Sequence, residues 1–156
     1  MALTLTSTAF ENNEKIPAKY TCDGDRFLSP PLMVHGVPEE AKSLVLIMDD
    51  PDVPKELRPD GVFDHWVLFN IPPDTTELPE GAPLGTPGNN GRGEARYTGP
   101  CPPPEYEPKE HRYFFTLYAL RSALDLPQGA SKEQVLTALA PLLIEKIELV
   151  GRYSRK

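Results

Sequence analysis

Proline is the residue that most restricts how this chain can fold. The 156 residues include 19 prolines and 11 glycines, and the prolines are spread from Pro17 to Pro141. Because proline fixes φ and lacks a backbone N–H group, it is excluded from the interior of helices and of central strands. The distribution therefore argues against a helical bundle and favours short strands joined by shaped loops.

Five alternating or apolar runs lie between the loops and predict strands. They are residues 3–10, 43–49, 65–71, 111–120 and 147–153. The longest loop runs from Pro72 to Gly93, and loops of that length in a compact domain are usually functional or pack irregularly on the surface. The chain length suits one domain, 1–156. We expect a mostly β fold, a sandwich or a barrel, with one or two short peripheral helices.

One helix is predicted near the C-terminal end. Ser131 and Gln134 have the spacing of a capping box, with Ser131 as the N-cap. The apolar stripe that follows consists of Val135, Leu136, Leu139, Leu142 and Leu143. Pro141 lies inside this stripe, and we expect the helix to kink or restart there because proline removes a backbone donor.

Charge and hydropathy exclude several partners. The formal net charge is −7 and the basic residues are scattered, so we expect no nucleic-acid partner. The chain contains no apolar run of 18 residues, so we expect no transmembrane segment. The first ten residues lack the features of a signal peptide, which favours a cytoplasmic location. In a reducing cytosol we expect Cys22 and Cys101 to be free thiols, although a disulfide between them stays open.

Three of the predicted strands have an apolar face that ends in an ionisable side chain. By alternation, the faces are Leu44, Leu46, Met48 and Asp50; His65, Val67, Phe69 and Ile71; and His111, Tyr113, Phe115, Leu117 and Ala119. If the first strand runs antiparallel to the other two, its Asp50 end lies beside the His65 and His111 ends. Each residue alone has a structural interpretation, since an aspartate before proline also forms turns. Three such faces together favour a polar pocket at the edge of the core.

The expected chemistry of this pocket is anion binding. Two imidazoles and the phenol of Tyr113 offer hydrogen-bond donors, and Asp50 can fix the tautomer or charge of a histidine. The loop that contains Gly99, Cys101, Pro102 and Pro103 supplies a rigid wall, because proline fixes φ and glycine permits close approach. Such a pocket suits a phosphate monoester or a carboxylate, with an affinity that depends on pH near neutrality.

Several motifs resemble the phosphatidylethanolamine-binding protein family. They are DDPDVP (49–54), DHWVLFNIP (64–72), YTGPCPPP (97–104) and HRYFFTLYAL (111–120), and YTCDGDRFLSPPL (20–32) adds a pattern of the bacterial and archaeal, Raf-kinase-inhibitor-like branch. The resemblance extends from about Leu3 to Arg155. It implies a β-sandwich with peripheral helices and a pocket for small anions and phosphorylated head groups such as phosphoethanolamine. It also implies a homodimer and regulation of a protein partner, in the manner of kinase or protease inhibitors.

The resemblance implies the same pocket residues as the strand faces do. The eight implied ligand-binding positions are Asp50, His65, Gly99, Cys101, Pro102, Pro103, His111 and Tyr113. Phe63 stands where the mammalian members carry tryptophan. Those members also continue into a C-terminal helix that borders the pocket, whereas this chain ends at Lys156, so we expect a more open pocket.

The chemistry of the residues leaves rival functions open. We expect a binding protein without a cofactor or metal rather than an enzyme. The alternative is a hydrolase that uses the Asp50 and histidine pocket to activate water, or Cys101 as a thiolate nucleophile. Asp50, His65 and His111 are also of the right types for a zinc site.

Overall fold

The structure is a computed structural model that describes residues 2–155. Met1 and Lys156, the two ends of the predicted domain 1–156, lie outside the described residues. The strands are β1 (Thr4–Thr6), β2 (Glu14–Lys15), β3 (Leu32–His35), β4 (Ser43–Asp50), β5 (Phe63–Ile71), β6 (Glu77–Leu78), β7 (Thr86–Pro87), β8 (His111–Leu120) and β9 (Leu143–Tyr153). The helices of the described residues are α1 (Lys132–Leu139) and two 3-10 helices, Ala18–Tyr20 and Ala140–Leu142.

The strands form two sheets that confirm the predicted β-sandwich. The larger sheet has the order β2-β9-β8-β4-β5-β7, and the smaller has the order β1-β3-β6. The smaller sheet covers one face of the larger and encloses the main core, which includes Leu5, Val34 and Leu117. On the opposite face, α1 encloses a second core through Val135 and Leu139. Within residues 2–155, no helix is both long and apolar enough to cross a membrane.

The long central strands agree with the sequence pattern, and the edges differ from it. The predicted strands 43–49, 65–71 and 111–120 correspond to β4, β5 and β8. The first strand is shorter than the prediction 3–10, and β9 begins before residue 147. Strands β2, β3, β6 and β7 were not predicted, because each has four residues or fewer and runs this short have little periodicity.

The capping box and the predicted interruption at Pro141 are confirmed, and all five residues of the stripe belong to or pack against the core under α1. The Ser131 hydroxyl accepts a hydrogen bond from the Gln134 N–H at 3.1 Å, and the Gln134 side chain accepts one from the Ser131 N–H at 2.9 Å. The α-helix ends at Leu139, and Pro141 lies in the following 3-10 helix. Because proline cannot continue the α-helical hydrogen-bond ladder, the chain turns there, and Leu143 instead begins β9 opposite Leu120.

A β-bulge changes which side of β5 faces the main core. Along the β4–β5 pair, Met48 lies opposite Trp66 and Asp49 lies opposite Asp64, so His65 is the extra residue. The predicted common face of β5 is therefore wrong. Val67 and Phe69 belong to the core under α1, and the bulge turns His65 back toward the face of the main core. The predicted faces of β4 and β8 are confirmed, since their apolar members lie in the main core.

A second irregularity of β5 involves Asn70. This residue has a φ of 53°, in the left-handed region that few residues other than glycine adopt. Its side chain donates a hydrogen bond to the Leu124 carbonyl at 2.9 Å and accepts one from the Leu124 N–H at 2.7 Å. These two bonds hold the bend that returns Ile71 to the main core.

Substitutions at Asn70 should separate its two contributions to stability. Asn70→Gly loses both hydrogen bonds but tolerates the positive φ, whereas Asn70→Ala loses the bonds and also has an unfavourable left-handed backbone. We expect both variants to unfold at lower urea concentration, with Asn70→Ala about 1 kcal/mol less stable than Asn70→Gly. Equal unfolding free energies for the two variants would contradict a role for the backbone conformation.

Candidate functional site

The three ionisable strand tips meet at one end of the larger sheet. Strand β4 is antiparallel to both β5 and β8, so its last residue lies beside the first residues of its two neighbours. Asp50, His65 and His111 all line one cavity at this end, with a volume of about 340 Å³. The volume is at the lower end of the range of small-molecule sites, about 300–1,000 Å³.

Seven of the eight sequence-predicted site residues line this cavity. They are Asp50, His65, Gly99, Cys101, Pro102, Pro103 and His111. Tyr113 does not line it. Its ring is fully buried, with its centroid 5.2 Å from that of His65 and 6.4 Å from that of His111. Tyr113 therefore supports the two imidazoles from within the core.

Asp50 holds His111 in a fixed orientation. The Oδ2 atom of Asp50 lies 2.6 Å from Nδ1 of His111, and its Oδ1 atom accepts a hydrogen bond from the Asp52 N–H at 2.8 Å. The aspartate thus forms a local turn and also contacts the histidine. Only 3% of Asp50 and 1% of His111 are exposed. The Nε2 atom of His111 is buried and has no hydrogen-bond partner among the described residues.

His65 is held by a backbone carbonyl instead of a carboxylate. Its Nδ1 atom lies 2.7 Å from the carbonyl oxygen of Thr98. A carbonyl oxygen only accepts hydrogen bonds, so Nδ1 carries the proton, and Nε2 of the neutral ring has a free lone pair. Burial lowers the pKa of His65 to about 4, against the hydrogen bond to Thr98 and the nearby charge of Asp50, which raise it. The ring is therefore neutral at pH 7.

Burial also keeps the Tyr113 hydroxyl protonated. Desolvation raises the pKa of Tyr113 far above its usual value, and the negative charge of Asp50 raises it further. The hydroxyl is buried and has no hydrogen-bond partner among the described residues. It is thus a neutral polar group directly behind the histidines.

The structure adds three arginines that sequence reasoning missed. Arg26, Arg58 and Arg92 line the cavity, although they are distant from one another in the sequence. No local pattern marks them, because scattered basic residues on loops are usually solvated. The other additional wall residues are Val53, Leu57, Phe63 and Thr98. The ring of Phe63 contacts the guanidinium of Arg58, whose carbon atom lies 4.5 Å from the ring centroid.

The expectation of free thiols is wrong, since Cys22 and Cys101 form a disulfide. Their Cα atoms are 5.4 Å apart, within the usual range for such bonds. The chain around residue 22 runs beside the proline loop: the Cys22 N–H donates to the Pro100 carbonyl at 3.1 Å, and the Gly99 N–H donates to the Arg26 carbonyl at 2.7 Å. The two cysteines are 79 residues apart in the sequence, and only tertiary packing brings them together. The expectation of free thiols was based on a reducing cytosol and could not take this packing into account.

Gly99 is required where these two segments touch. A Cβ atom at position 99 would lie 2.1 Å from the carbonyl oxygen of Tyr20, which is too close for any side chain. The Gly99 N–H also donates to the carbonyl oxygen of Arg26, which lines the cavity. Gly99 therefore allows the proline loop to pack against the segment that contains Arg26.

The disulfide and the geometry of the histidines test two alternative hypotheses, a Cys101 nucleophile and a zinc site. With its Sγ atom bonded to Cys22, Cys101 is not available as a thiolate nucleophile. Asp50, His65 and His111 do not form a zinc site either. Among residues 2–155, no group of three or more His, Cys, Asp or Glu side chains is arranged to hold a metal ion.

A second aspartate fixes the turn that carries Asp50. The two carboxylate oxygens of Asp52 accept hydrogen bonds from Nε and Nη2 of Arg112 at 2.9 and 2.8 Å, and from the Arg112 N–H at 2.9 Å. Hydrogen bonding from Arg112 lowers the pKa of Asp52, against partial burial, which raises it. The adjacent pairs Asp50–His111 and Asp52–Arg112 thus join the end of β4 to the start of β8.

The comparisons with known proteins agree with the fold and with the motifs. The phosphatidylethanolamine-binding protein family matches residues 6–154. A UPF0098 protein of Methanothermobacter thermautotrophicus is 48% identical over 98% of this chain and 99% of its own length. The chain therefore belongs to the phosphatidylethanolamine-binding protein family and is of its bacterial and archaeal type.

Two solved structures are similar over their full lengths. The crystal structure of CT736 from Chlamydia trachomatis, described as a putative phosphatidylethanolamine-binding protein homologue, has a TM-score of 0.93 and 45% identity, covering 99% of both chains. Escherichia coli YbcL, described as a new member of the mammalian family, has a TM-score of 0.87 and 29% identity, covering 100% of both chains. The sandwich is thus shared with bacterial members of the family.

The neutral, buried His65 should make stability depend on pH. The unfolded chain protonates this histidine near pH 6.5, but the folded protein does so only near pH 4. Between these values the unfolded state binds more protons, so the free energy of unfolding falls as pH falls, by about 3 kcal/mol at pH 4. His65→Asn keeps a donor for Thr98 and removes the titration. Urea unfolding measures the free energy of unfolding of both proteins. The amount by which the wild type exceeds the variant should decrease from pH 7 to pH 4. A difference that stays constant would contradict the lowered pKa of His65.

Removal of the disulfide should lower stability substantially. The bond spans 79 residues, and the loss of such a cross-link costs about 4 kcal/mol in the chain-entropy account. We expect the Cys22→Ser/Cys101→Ser variant to unfold at much lower guanidinium concentration than the oxidised wild type. Wild type treated with a reductant is the matched control and should behave like the variant. Unchanged stability in both would show that the bond does not constrain the chain.

Proposed function

We propose that the cavity binds a small oxyanion and that a phosphate monoester is its preferred class of ligand. The observation that carries this proposal is the buried Nε2 atom of His111, which has no hydrogen-bond partner within residues 2–155. An unpaired polar atom at a site that is 1% exposed costs about 1–3 kcal/mol. A ligand oxygen at this atom would remove that cost.

The two histidines are suited to different atoms of one ligand. Asp50 contacts Nδ1 of His111 and fixes the orientation of the ring, which leaves its Nε2 atom for an oxygen of the ligand. His65 is neutral, with its proton on Nδ1, so its Nε2 atom accepts a hydrogen bond. A singly protonated phosphate has both an anionic oxygen and an O–H group, whereas a carboxylate offers only acceptors. The pair therefore favours phosphate over carboxylate.

The wall of the cavity supports the same class of ligand. Arg26, Arg58 and Arg92 are present in it, and guanidinium groups bind phosphate oxygens well. The disulfide and the adjacent prolines make the wall beside them stiff, which lowers the cost of ordering the site on binding. The family to which the chain belongs is named for a phospholipid ligand, and phosphoethanolamine is one phosphate monoester of the proposed class.

The hydrolase alternative has one observation in its favour. The contact of 2.6 Å between Asp50 and Nδ1 of His111 is the arrangement that orients a histidine as a general base. With Cys101 in a disulfide, water is the nucleophile that remains for this hypothesis. It stays secondary to binding, and measurable turnover of a phosphate or carboxylate ester that is lost with His111 would be required for it.

The remaining expectations on partners and location are also hypotheses. A homodimer and the regulation of a protein partner follow from the family resemblance alone. A cytoplasmic location rests on the sequence of the N-terminus. The disulfide does not support that location, because such bonds are rare in a reducing cytosol.

Titration with inorganic phosphate and ethyl phosphate tests the binding proposal. We expect the imidazole proton resonances of His65 and His111 to shift together and saturate at pH 6–7. His35, which is exposed on β3, serves as an internal control and should not shift. His111→Asn keeps a donor for Asp50 but lacks Nε2, and should weaken binding about tenfold or more.

The control variant His35→Asn should bind phosphate like the wild type. If neither His65 nor His111 responds to either ligand, the cavity is not an oxyanion site. If His111→Asn binds as tightly as the wild type, the unpaired Nε2 atom is not the contact that recognises the ligand.

A further inference from the structure

The charged side chains of the cavity wall are predominantly cationic. Arg26, Arg58 and Arg92 line it, whereas Asp50 is the one carboxylate in its described wall. Both oxygens of that carboxylate are already engaged, one by a backbone N–H and the other by His111. The cavity thus has an excess of positive charge, although the chain as a whole carries a formal charge of −7.

Two of the three arginines have no carboxylate partner within residues 2–155. Arg58 donates from Nη2 to the carbonyl oxygen of Gly91 at 2.7 Å and lies over the ring of Phe63. The Nε atom of Arg26 is buried and has no hydrogen-bond partner in the described part of the chain. Neither a carbonyl nor an aromatic ring neutralises a guanidinium, so both charges are available to a ligand.

The third arginine is only loosely paired. The Nε atom of Arg92 is 3.5 Å from a carboxylate oxygen of Glu94, and its side chain is 51% exposed. The same carboxylate also pairs with Arg96 at 2.9 Å. Because Glu94 is shared between two guanidinium groups, it does not cancel the charge of Arg92.

The cavity is larger than an oxyanion. Its volume of about 340 Å³ is in the range of sites that enclose whole small molecules, about 300–1,000 Å³. A phosphate group seated on His65 and His111 fills part of this space. The rest of the ligand must then meet the other wall residues, which include the arginines and the apolar side chains of Val53 and Leu57.

We propose that the cavity selects phosphate monoesters whose organic part carries a second negative charge, and disfavours those that end in an ammonium group. This proposal rests on the proposed function and adds the sign of charge that the ligand must carry beyond its phosphate. An ammonium group near unpaired guanidinium groups is repelled, while a carboxylate is attracted, and partial removal from water strengthens both effects. By this reasoning, phosphoethanolamine is a poor ligand for this member of its family.

Three phosphate monoesters of nearly equal size test the proposal. They are 2-phosphoglycolate, ethyl phosphate and O-phosphoethanolamine, which end in a carboxylate, a methyl group and an ammonium group. In calorimetric titrations at pH 7 and low salt, we expect 2-phosphoglycolate to bind about tenfold or more tightly than O-phosphoethanolamine, with ethyl phosphate between them. Added salt should reduce the ratio, because it screens partly exposed charges.

Charge-neutral variants assign the selectivity to particular side chains. Arg26→Gln and Arg58→Gln should each reduce the ratio of the 2-phosphoglycolate and O-phosphoethanolamine affinities by about threefold or more. Arg92→Gln is a further variant, and because its position is half-exposed, we expect it to fold like the wild type. Arg121→Gln is the matched control, since Arg121 is exposed and follows β8 at the end opposite His111. It removes the same charge and should leave the ratio unchanged.

The possible outcomes distinguish the selectivity proposal, the oxyanion-site proposal and the role of the arginines. If ethyl phosphate and inorganic phosphate bind but the three esters have equal affinities, or O-phosphoethanolamine binds most tightly, the selectivity proposal is wrong and the oxyanion site stands. If no phosphate compound binds, both proposals are wrong. If 2-phosphoglycolate is preferred but the ratio is the same in all the arginine variants, the arginines are not the source of the preference.

Discussion

The antiparallel pairing of β4 with both of its neighbours is the constraint on which the site depends. Because β4 runs opposite to β5 and β8, one end of the sheet combines the last residue of one strand with the first residues of two others. Asp50, His65 and His111 meet there although 61 residues separate the first from the last. The bulge at His65 completes the arrangement, since a regular β5 would turn that ring toward the core under α1.

The two histidines are both buried, but their different partners give them different electrostatic environments. His111 contacts a carboxylate, whereas His65 contacts a neutral carbonyl and is kept uncharged by desolvation. The positive charge of the wall therefore comes from arginines on the surrounding loops and not from His65. In the proposed binding mode, the histidines contact the oxyanion and the arginines contact the rest of the ligand.

The stiff, proline-rich segment before His111 forms part of the cavity wall. Gly99, Cys101, Pro102 and Pro103 form one wall of the cavity, and the disulfide ties this wall to the segment that carries Arg26. The loop thus has a structural function at both of its surfaces. One surface faces the cavity, and the other packs so closely on Tyr20 that only glycine fits at position 99.

The sequence by itself determined the fold class, the long central strands, the helix cap at Ser131 and seven of the eight cavity residues that it predicted. These features depend on local periodicity, on turn chemistry and on motifs, all of which can be read along the chain. Only the tertiary structure decided that Cys22 is bonded to Cys101, that Tyr113 lies behind the cavity and that Arg26, Arg58 and Arg92 border it. Bulges, disulfide partners and the approach of distant loops depend on packing in three dimensions, which a periodic pattern does not contain.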